Sequence, residues 1–131
     1  MNENKITELI KTAADMRNRS RAPYSGYTVG AALLTASGKI IGGCNVESAS
    51  YGLTCCAERT AIYRALAEGH STFTALAVAT RDGGSPCGAC RQVIWEQCGD
   101  IPVFIVDESG TARTSSSSAL LPDAFGSENL R

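Results

Sequence analysis

The chain has 131 residues, 44% of them hydrophobic, with 12 basic and 13 acidic side chains and a formal net charge of −1. That length fits one domain (1–131) with a buried core and leaves no room for a second. The balanced charge gives no electrostatic drive toward nucleic acid or an anionic membrane, and suits a small uncharged substrate better.

No run approaches the roughly eighteen apolar residues of a membrane span, and residues 1–6 lack the apolar stretch of a signal peptide. A cytoplasmic protein is therefore expected. Its six cysteines are then expected as reduced thiols and not as disulfides.

Ile6, Leu9, Ile10, Ala13 and Met16 recur at helical spacing, with Asn4 available as cap, which predicts an amphipathic helix over 4–18. Arg17, Arg19 and Arg21 at its end can complement the helix dipole and solvate a face, a reading preferred to an RNA contact. After the turn-rich 22–27 stretch, residues 28–35 and 39–44 predict a hairpin closed by Ala36-Ser37-Gly38. The polar loop 44–52 follows. Its Asn45 amide and Glu47 carboxylate, two residues apart at a strand exit, can meet the vicinal hydroxyls of a sugar or belong to an ordinary polar loop. Residue chemistry alone leaves both open.

A helix is predicted over 57–68. The apolar run 73–80 reads as a strand buried on both faces, and a Gly-rich loop over 81–85 leads to a helix from Cys87 to about 97 or 98. A strand at 101–106 then implies a parallel crossover. A turn at 107–110, an edge strand near 111–114, and a short helix at 119–121 capped from within Ser115–Ser118 precede Pro122. The remaining tail carries Phe125. The predicted fold class is α/β, a mixed five-stranded sheet sandwiched between helices.

Two stretches carry chemistry, Thr54-Cys55-Cys56-Ala57-Glu58-Arg59 and Ser85-Pro86-Cys87-Gly88-Ala89-Cys90-Arg91. If Pro86 takes the first turn of a helix, Cys87 and Cys90 share one face at its N-terminus, where the dipole favours the metal-ligating thiolate. Cys56 supplies a third sulfur, and Glu58 stands two residues on. Three protein ligands mark a catalytic zinc, which keeps a position for water, whereas a structural zinc takes four. C-x-E with P-C-x-x-C is the arrangement of zinc-dependent nucleobase deaminases, in which the glutamate moves protons and is not a ligand. A lone C-x-x-C would equally be a redox pair or half of a zinc knuckle; the upstream Cys56-Ala57-Glu58 favours catalysis. Cys55 is out of register and is assigned to packing, and Cys44 and Cys98 read as small buried hydrophobes.

Taken together these residues resemble the small homotetrameric zinc-dependent cytidine deaminases over nearly the whole chain. The matching segments include Ala22-Pro23-Tyr24-Ser25, 29–34, Gly43-Cys44-Asn45-Val46-Glu47, both zinc stretches and Leu120-Leu121-Pro122-Asp123-Ala124-Phe125. The resemblance implies a three-layer α/β/α fold with one Zn²⁺ per subunit on Cys56, Cys87 and Cys90. It also implies zinc-activated attack of water at C4 of cytosine, with Glu58 taking a proton from water, giving it to N3 and serving the departing ammonia.

It further implies ribose contacts from Asn45 and Glu47, so that alanine at either weakens binding far more than stability. Backbone groups of Ala57 and Ser85 would hold the attacking oxygen and the leaving amine, and Arg59 would offset the thiolate charge. Phe125 would reach a neighbouring subunit's site in a homotetramer with shared active sites. Tyr27 stands where Phe is usual and would bring a hydroxyl to the base pocket; Ser48 stands where Asn is frequent. The competing readings are a non-catalytic zinc module that binds RNA through its arginines, and a deaminase of a free base, a nucleotide or an aminopyrimidine antibiotic.

Overall fold

The computed structural model describes residues 2–130. Strands β1 (Gly30–Thr35), β2 (Ile40–Cys44), β3 (Phe73–Ala79), β4 (Pro102–Val106) and β5 (Ala112–Ser116) form one sheet in the order β2-β1-β3-β4-β5. Strand β1 pairs antiparallel with both β2 and β3, β3 and β4 are parallel across their helical crossover, and β5 returns antiparallel.

Side-chain alternation along the strands divides the core. Ala31, Leu33, Leu76 and Val78 face one side, where helices α2 (Ala57–Ala67) and α3 (Gly88–Cys98) bring Ala61, Ile62 and Ile94. Ala32, Leu34, Ala75, Ala77 and Ala79 face the other, against Leu9 and Ala13 of helix α1 (Glu3–Met16). Small residues at the contacts let the helices lie close. A Cβ on Gly30 would fall 2.0 Å from the Ala13 carbonyl oxygen, and one on Gly43 would fall 2.4 Å from the Ala61 nitrogen. Glycine at these two positions is thus a condition of docking α1 and α2.

Register gathers the chemistry at one edge. Gly30 pairs with both Cys44 and Ala79, so the chain just before β1, just after β2 and just after β3 converges there. Both zinc stretches leave this edge to start α2 and α3, at the strand ends where open α/β sheets bind ligands.

Several boundaries differ from the sequence reading for local reasons. Asn2, and not Asn4, caps α1, its Oδ1 accepting from Lys5 N at 2.8 Å. The helix ends at Met16 and gives way to a 3-10 turn over Arg17–Arg19. Arg17 Nε donates to Thr28 O (3.2 Å) and Oγ1 (3.1 Å), which takes Arg17 out of the solvated face. Strand β1 starts at Gly30 because side chains take the groups ahead of it, Arg17 the Thr28 carbonyl and Asn45 the Val29 N–H. Ser116 caps the last short helix α4 (Ser117–Leu120), while Ser117 is buried with its hydroxyl on Ile101 N. Cys44 is half-buried and donates to the Arg19 carbonyl at 3.4 Å. The half-buried Cys98 thiol is pushed up to about 12 by burial, which makes it inert at neutral pH.

Candidate active site

Cys56 is the N-cap of α2 and Cys87 the N-cap of α3, with Cys90 in the first turn of α3. Pro86 lies outside the helix, buried just ahead of Cys87, and not in its first turn. Both sulfurs of α3 still sit at the positive end of the dipole. Cys56 Sγ is 3.7 Å from Cys87 Sγ, which is 3.5 Å from Cys90 Sγ, and all three lie within 4.8 Å of one another. Zinc–sulfur bonds of about 2.3 Å in a tetrahedron place sulfurs roughly 3.8 Å apart. Two of the three spacings match that value and the third lies within 4.8 Å, so the three thiols are placed to hold one zinc ion.

Their electrostatics favour thiolate at Cys56. Its pKa is lowered to about 5, chiefly by a hydrogen bond from Cys90, and also by Arg59 and Cys87. Cys90 moves the opposite way, because it gives its proton to Cys56 and is buried. Negative charge therefore settles first on Cys56, beside Arg59, whose Nη2 donates to Cys56 Sγ at 3.4 Å. Arg59 Nε is buried with no acceptor among the described residues. An unspent cationic donor beside three sulfurs suits a thiolate-rich metal site.

Glu58 is 3% exposed in the first turn of α2. Burial pushes its pKa up to about 7, the nearby Cys56 thiolate adds to this, and a backbone hydrogen bond and Arg59 oppose it. A carboxyl poised there can both take and give a proton near neutral pH. Ala57, between Cys56 and Glu58, opens α2, so its N–H belongs to the first-turn donors that have no partner inside the helix.

Glu58, Cys56 and Cys87 line a cleft of about 180 Å³ together with Tyr27, Asn45 and Ser85. Glu47 lies in the adjoining depression beside Tyr24, Ser25, Ser48 and Tyr51, and Thr54 lines both spaces. Asn45 is largely committed to the protein. Its Nδ2 donates to Tyr27 O at 2.8 Å, and its Oδ1 accepts from Val29 N at 3.0 Å and from the Ser20 hydroxyl. One Nδ2 hydrogen remains for a ligand. Glu47 accepts from Tyr24 N (3.0 Å), Ser25 N (3.2 Å) and the Ser25 hydroxyl. The Tyr27 ring lines the cleft, but its hydroxyl donates to Asp82 Oδ1 at 2.7 Å. Phe125 does not line the cleft; it is 55% exposed, and its carbonyl accepts from Gln92 Nε2 at 2.9 Å.

A family profile described as "Cytidine and deoxycytidylate deaminase zinc-binding region" matches residues 3–106. The chain belongs to this family of zinc-dependent deaminases. Proteins named cytidine deaminase from Sporosarcina psychrophila and Halalkalibacterium halodurans are 44% and 46% identical to it. The alignments cover 95% of this chain and 94% of the first relative, and 93% and 95% for the second. A crystal structure of cytidine deaminase from Burkholderia pseudomallei superposes with a TM-score of 0.88 at 47% identity, over 95% of this chain and all of that one.

Zinc is the family's metal, and Cys56, Cys87 and Cys90 form the cluster able to hold it among the described residues. No helix among those residues is long and apolar enough to cross a membrane.

Two parts of this deaminase site went unread in the sequence. Arg91 ties the loop ahead of Cys87 to the end of α4, donating to Pro86 O (2.7 Å) and Ser85 Oγ (2.7 Å) on the loop and to Leu120 O (3.0 Å) on the helix. An arginine in the first turn of a helix, where the dipole disfavours a cation, is a readable sign that it has a specific task. The contact between Tyr27 and Asp82 carries no such sign, since 55 residues separate the two.

Proposed function

We propose that this chain, as one catalytic domain over residues 1–131, catalyses the hydrolytic deamination of cytidine and deoxycytidine. Water and the nucleoside give uridine or deoxyuridine and ammonia. The observation that carries this reading is the buried Glu58 carboxyl sharing one cleft with thiols spaced for a single zinc ion. The gathering of three thiols, where a structural zinc takes four ligands, supports a site that leaves room for water. When bound, zinc would lower the pKa of that water to about 7 and make a hydroxide nucleophile available.

Glu58 does the proton work. Its ionised form accepts a proton from water, its acid form delivers that proton to N3, and a second transfer serves ammonia as the C4–N bond breaks behind the new C4–O bond. A pKa near 7 keeps both forms populated. Arg59 offsets the thiolate charge that opposes ionisation of water. The free Nδ2 hydrogen of Asn45 and the Glu47 carboxylate are assigned to ribose hydroxyls, the Tyr27 ring to the base, and backbone groups of Ala57 and Ser85 to the attacking oxygen and the leaving amine. Cytidine incubated with zinc-loaded protein should lose the longer-wavelength ultraviolet absorbance that distinguishes it from uridine, and release one ammonia per uridine. No turnover of any cytosine nucleoside by protein with zinc bound would sink the reading.

The physiological setting that follows is pyrimidine salvage in the cytoplasm, and the assembly is a homotetramer with sites built from more than one chain. Support for the assembly comes from apolar side chains left in water, Phe125 at 55% exposure, Tyr51 at 79% and Leu53 at 74%. Stacking of an aromatic ring on a pyrimidine contributes on the order of 1–3 kcal/mol, which gives Phe125 a use in a neighbour's cleft. Inactive Glu58→Ala subunits mixed with inactive subunits truncated before Phe125 should regain partial activity. An active monomer in sedimentation, or no recovery from confirmed mixed tetramers, removes the shared site.

A further inference from the structure

Tyr27 holds both walls of the cleft. Its carbonyl accepts from Asn45 Nδ2 at 2.8 Å, its hydroxyl donates to Asp82 Oδ1 at 2.7 Å, and the Arg81 guanidinium carbon lies 5.6 Å from its ring centroid. The Asp82 oxygen that receives the phenol also folds its own loop. It accepts from Gly84 N at 3.2 Å and Thr80 Oγ1 at 3.3 Å, while Gly84 N donates to Thr80 Oγ1 at 2.8 Å as well. Phenol and loop backbone are in direct contact, since a Cβ on Gly84 would fall 2.6 Å from the Tyr27 hydroxyl. Ser85 is the next residue, and Cys87 comes two after it.

We propose that the Tyr27 hydroxyl and Asp82 form a strut across the mouth of the cleft. These are positioning residues that fix the spacing between the Asn45 wall and the loop bearing Ser85, and so set how tightly a pyrimidine nucleoside is enclosed. The inference rests on reading this cleft as the nucleoside site. A phenol donating to a carboxylate makes a charge-assisted bond, and a guanidinium over the ring face adds a cation–π contact on the same side. Asp82 and Arg81 are the charged groups that meet Tyr27. Burial and Asp82 raise the Tyr27 pKa, while the Tyr27 hydroxyl holds Asp82 below its ordinary value, so the pair keeps one protonation pattern across the neutral range.

Loss of the phenol oxygen leaves Asp82 its bonds to Thr80 and Gly84, so the loop still folds but is no longer tied to Tyr27. No bond of the strut reaches Glu58 or the three sulfurs. The effect therefore falls on binding more than on the chemical step.

The test uses zinc-loaded protein carrying Tyr27→Phe, Asp82→Ala, Asp82→Asn, or Tyr27→Phe with Asp82→Ala. Cytidine turnover gives KM and kcat, and amide hydrogen exchange at Gly84 gives a readout independent of substrate. Tyr27→Phe should raise KM about fivefold, the size of one net hydrogen bond, with a smaller change in kcat, and Asp82→Ala should raise it at least as much because it also loses the loop bonds to Thr80 and Gly84. The double variant should be no worse than Asp82→Ala alone, and Asp82→Asn, which keeps the accepting oxygen, should recover most of the loss. Gly84 exchange should quicken about fivefold in Tyr27→Phe. Additive KM effects, or a Tyr27→Phe protein with parental KM and parental exchange, would overturn the strut. If the zinc-loaded parent does not deaminate cytidine, the functional reading fails, and exchange at Gly84 alone decides the strut.

Discussion

The two ends of the cleft are held by different means. At the metal end, Cys56, Cys87, Cys90 and Glu58 stand on the first turns or caps of α2 and α3, fixed by helices that dock on the sheet through Ala57, Ala61 and Ile94. At the rim, Tyr27, Asn45, Glu47 and Asp82 sit on connections between elements and are placed by hydrogen bonds to one another and to loop backbone. Helix caps backed by a packed core place sulfurs with little freedom, whereas a rim built of loop-to-loop bonds is adjustable and owes its shape to each partner. Substitutions at the metal end should therefore remove chemistry and spare the fold. At the rim they should move stability and binding together.

The largest effect is expected at Cys87. Its sulfur is needed for the cluster, yet the residue is exposed, so Cys87→Ala should lose zinc and all measurable deamination with little change in unfolding midpoint apart from the stability that bound zinc itself contributes. Zinc content by atomic absorption, with urea unfolding of chelator-treated parent and variant, checks this. A variant that retains one zinc per chain would require a different ligand set. Next comes Glu58→Ala, which should keep zinc and lose on the order of 10²–10⁴-fold in kcat, the usual range for a positioned acid–base group. Removing a carboxyl that is buried and destabilised there should not lower stability. Loss of zinc in this variant would mean that Glu58 supports ligation and is not confined to proton transfer.

Asn45 shows where the rim departs from what its sequence suggests. Residue chemistry leaves Asn45 and Glu47 open between a sugar site and an ordinary polar loop, and it is the family resemblance that implies ribose contacts, for which alanine would weaken binding and spare stability. The structure gives the Asn45 amide three protein partners, on Tyr27, Val29 and Ser20, at 8% exposure. Asn45→Ala strands the Val29 N–H and the Tyr27 carbonyl, which are half-buried, so the cost is at the low end of the roughly 1–3 kcal/mol for buried groups left unpaired. Urea unfolding should register that loss alongside a raised KM. An unchanged midpoint would return Asn45 to a purely ligand-facing role.

Legibility followed the same division. Each half of the thiol cluster, Cys56 with Glu58 and Cys87 with Cys90, and the two-faced core were readable from short spacings, i to i+2 or i+3 along one element or alternation along one strand, and the crossover from element order. That the two halves meet, across 31 residues, came from the family pattern and not from spacing. The α1 cap, the start of β1 and the Pro86 position were misplaced by a residue or two, because Asn2 takes the Lys5 N–H, Arg17 takes the Thr28 carbonyl, and the extended backbone of Cys87 delays the start of α3. Arg91 clasping Leu120, and Tyr27 reaching Asp82, depend on the tertiary path alone. Their sequence separations give no periodic signal.

The smallest effect concerns Glu47 and is resolved by pH. Its carboxyl is held below the ordinary 4.5 chiefly by the Ser25 hydroxyl; burial opposes this, and the Tyr24 and Ser25 amides add smaller lowering contributions. A carboxyl whose folded pKa is depressed binds fewer protons in the folded chain than in the unfolded chain. Stability from Glu47 is thus fully present above about pH 4.5 and is lost as pH falls through the lowered folded value. Glu47→Gln keeps an oxygen for the amides but replaces the other with a donor and carries no charge. The parent should therefore unfold at a slightly higher temperature than Glu47→Gln at pH 6 to 7, and the gap should narrow steadily below about pH 4.5. Because Glu47 is only half-buried and its hydrogen bonds lie at the surface, the gap should also shrink in high salt. A gap independent of pH would show that shape at this position matters and the charge does not, and would leave the Ser25 hydroxyl without its assigned partner.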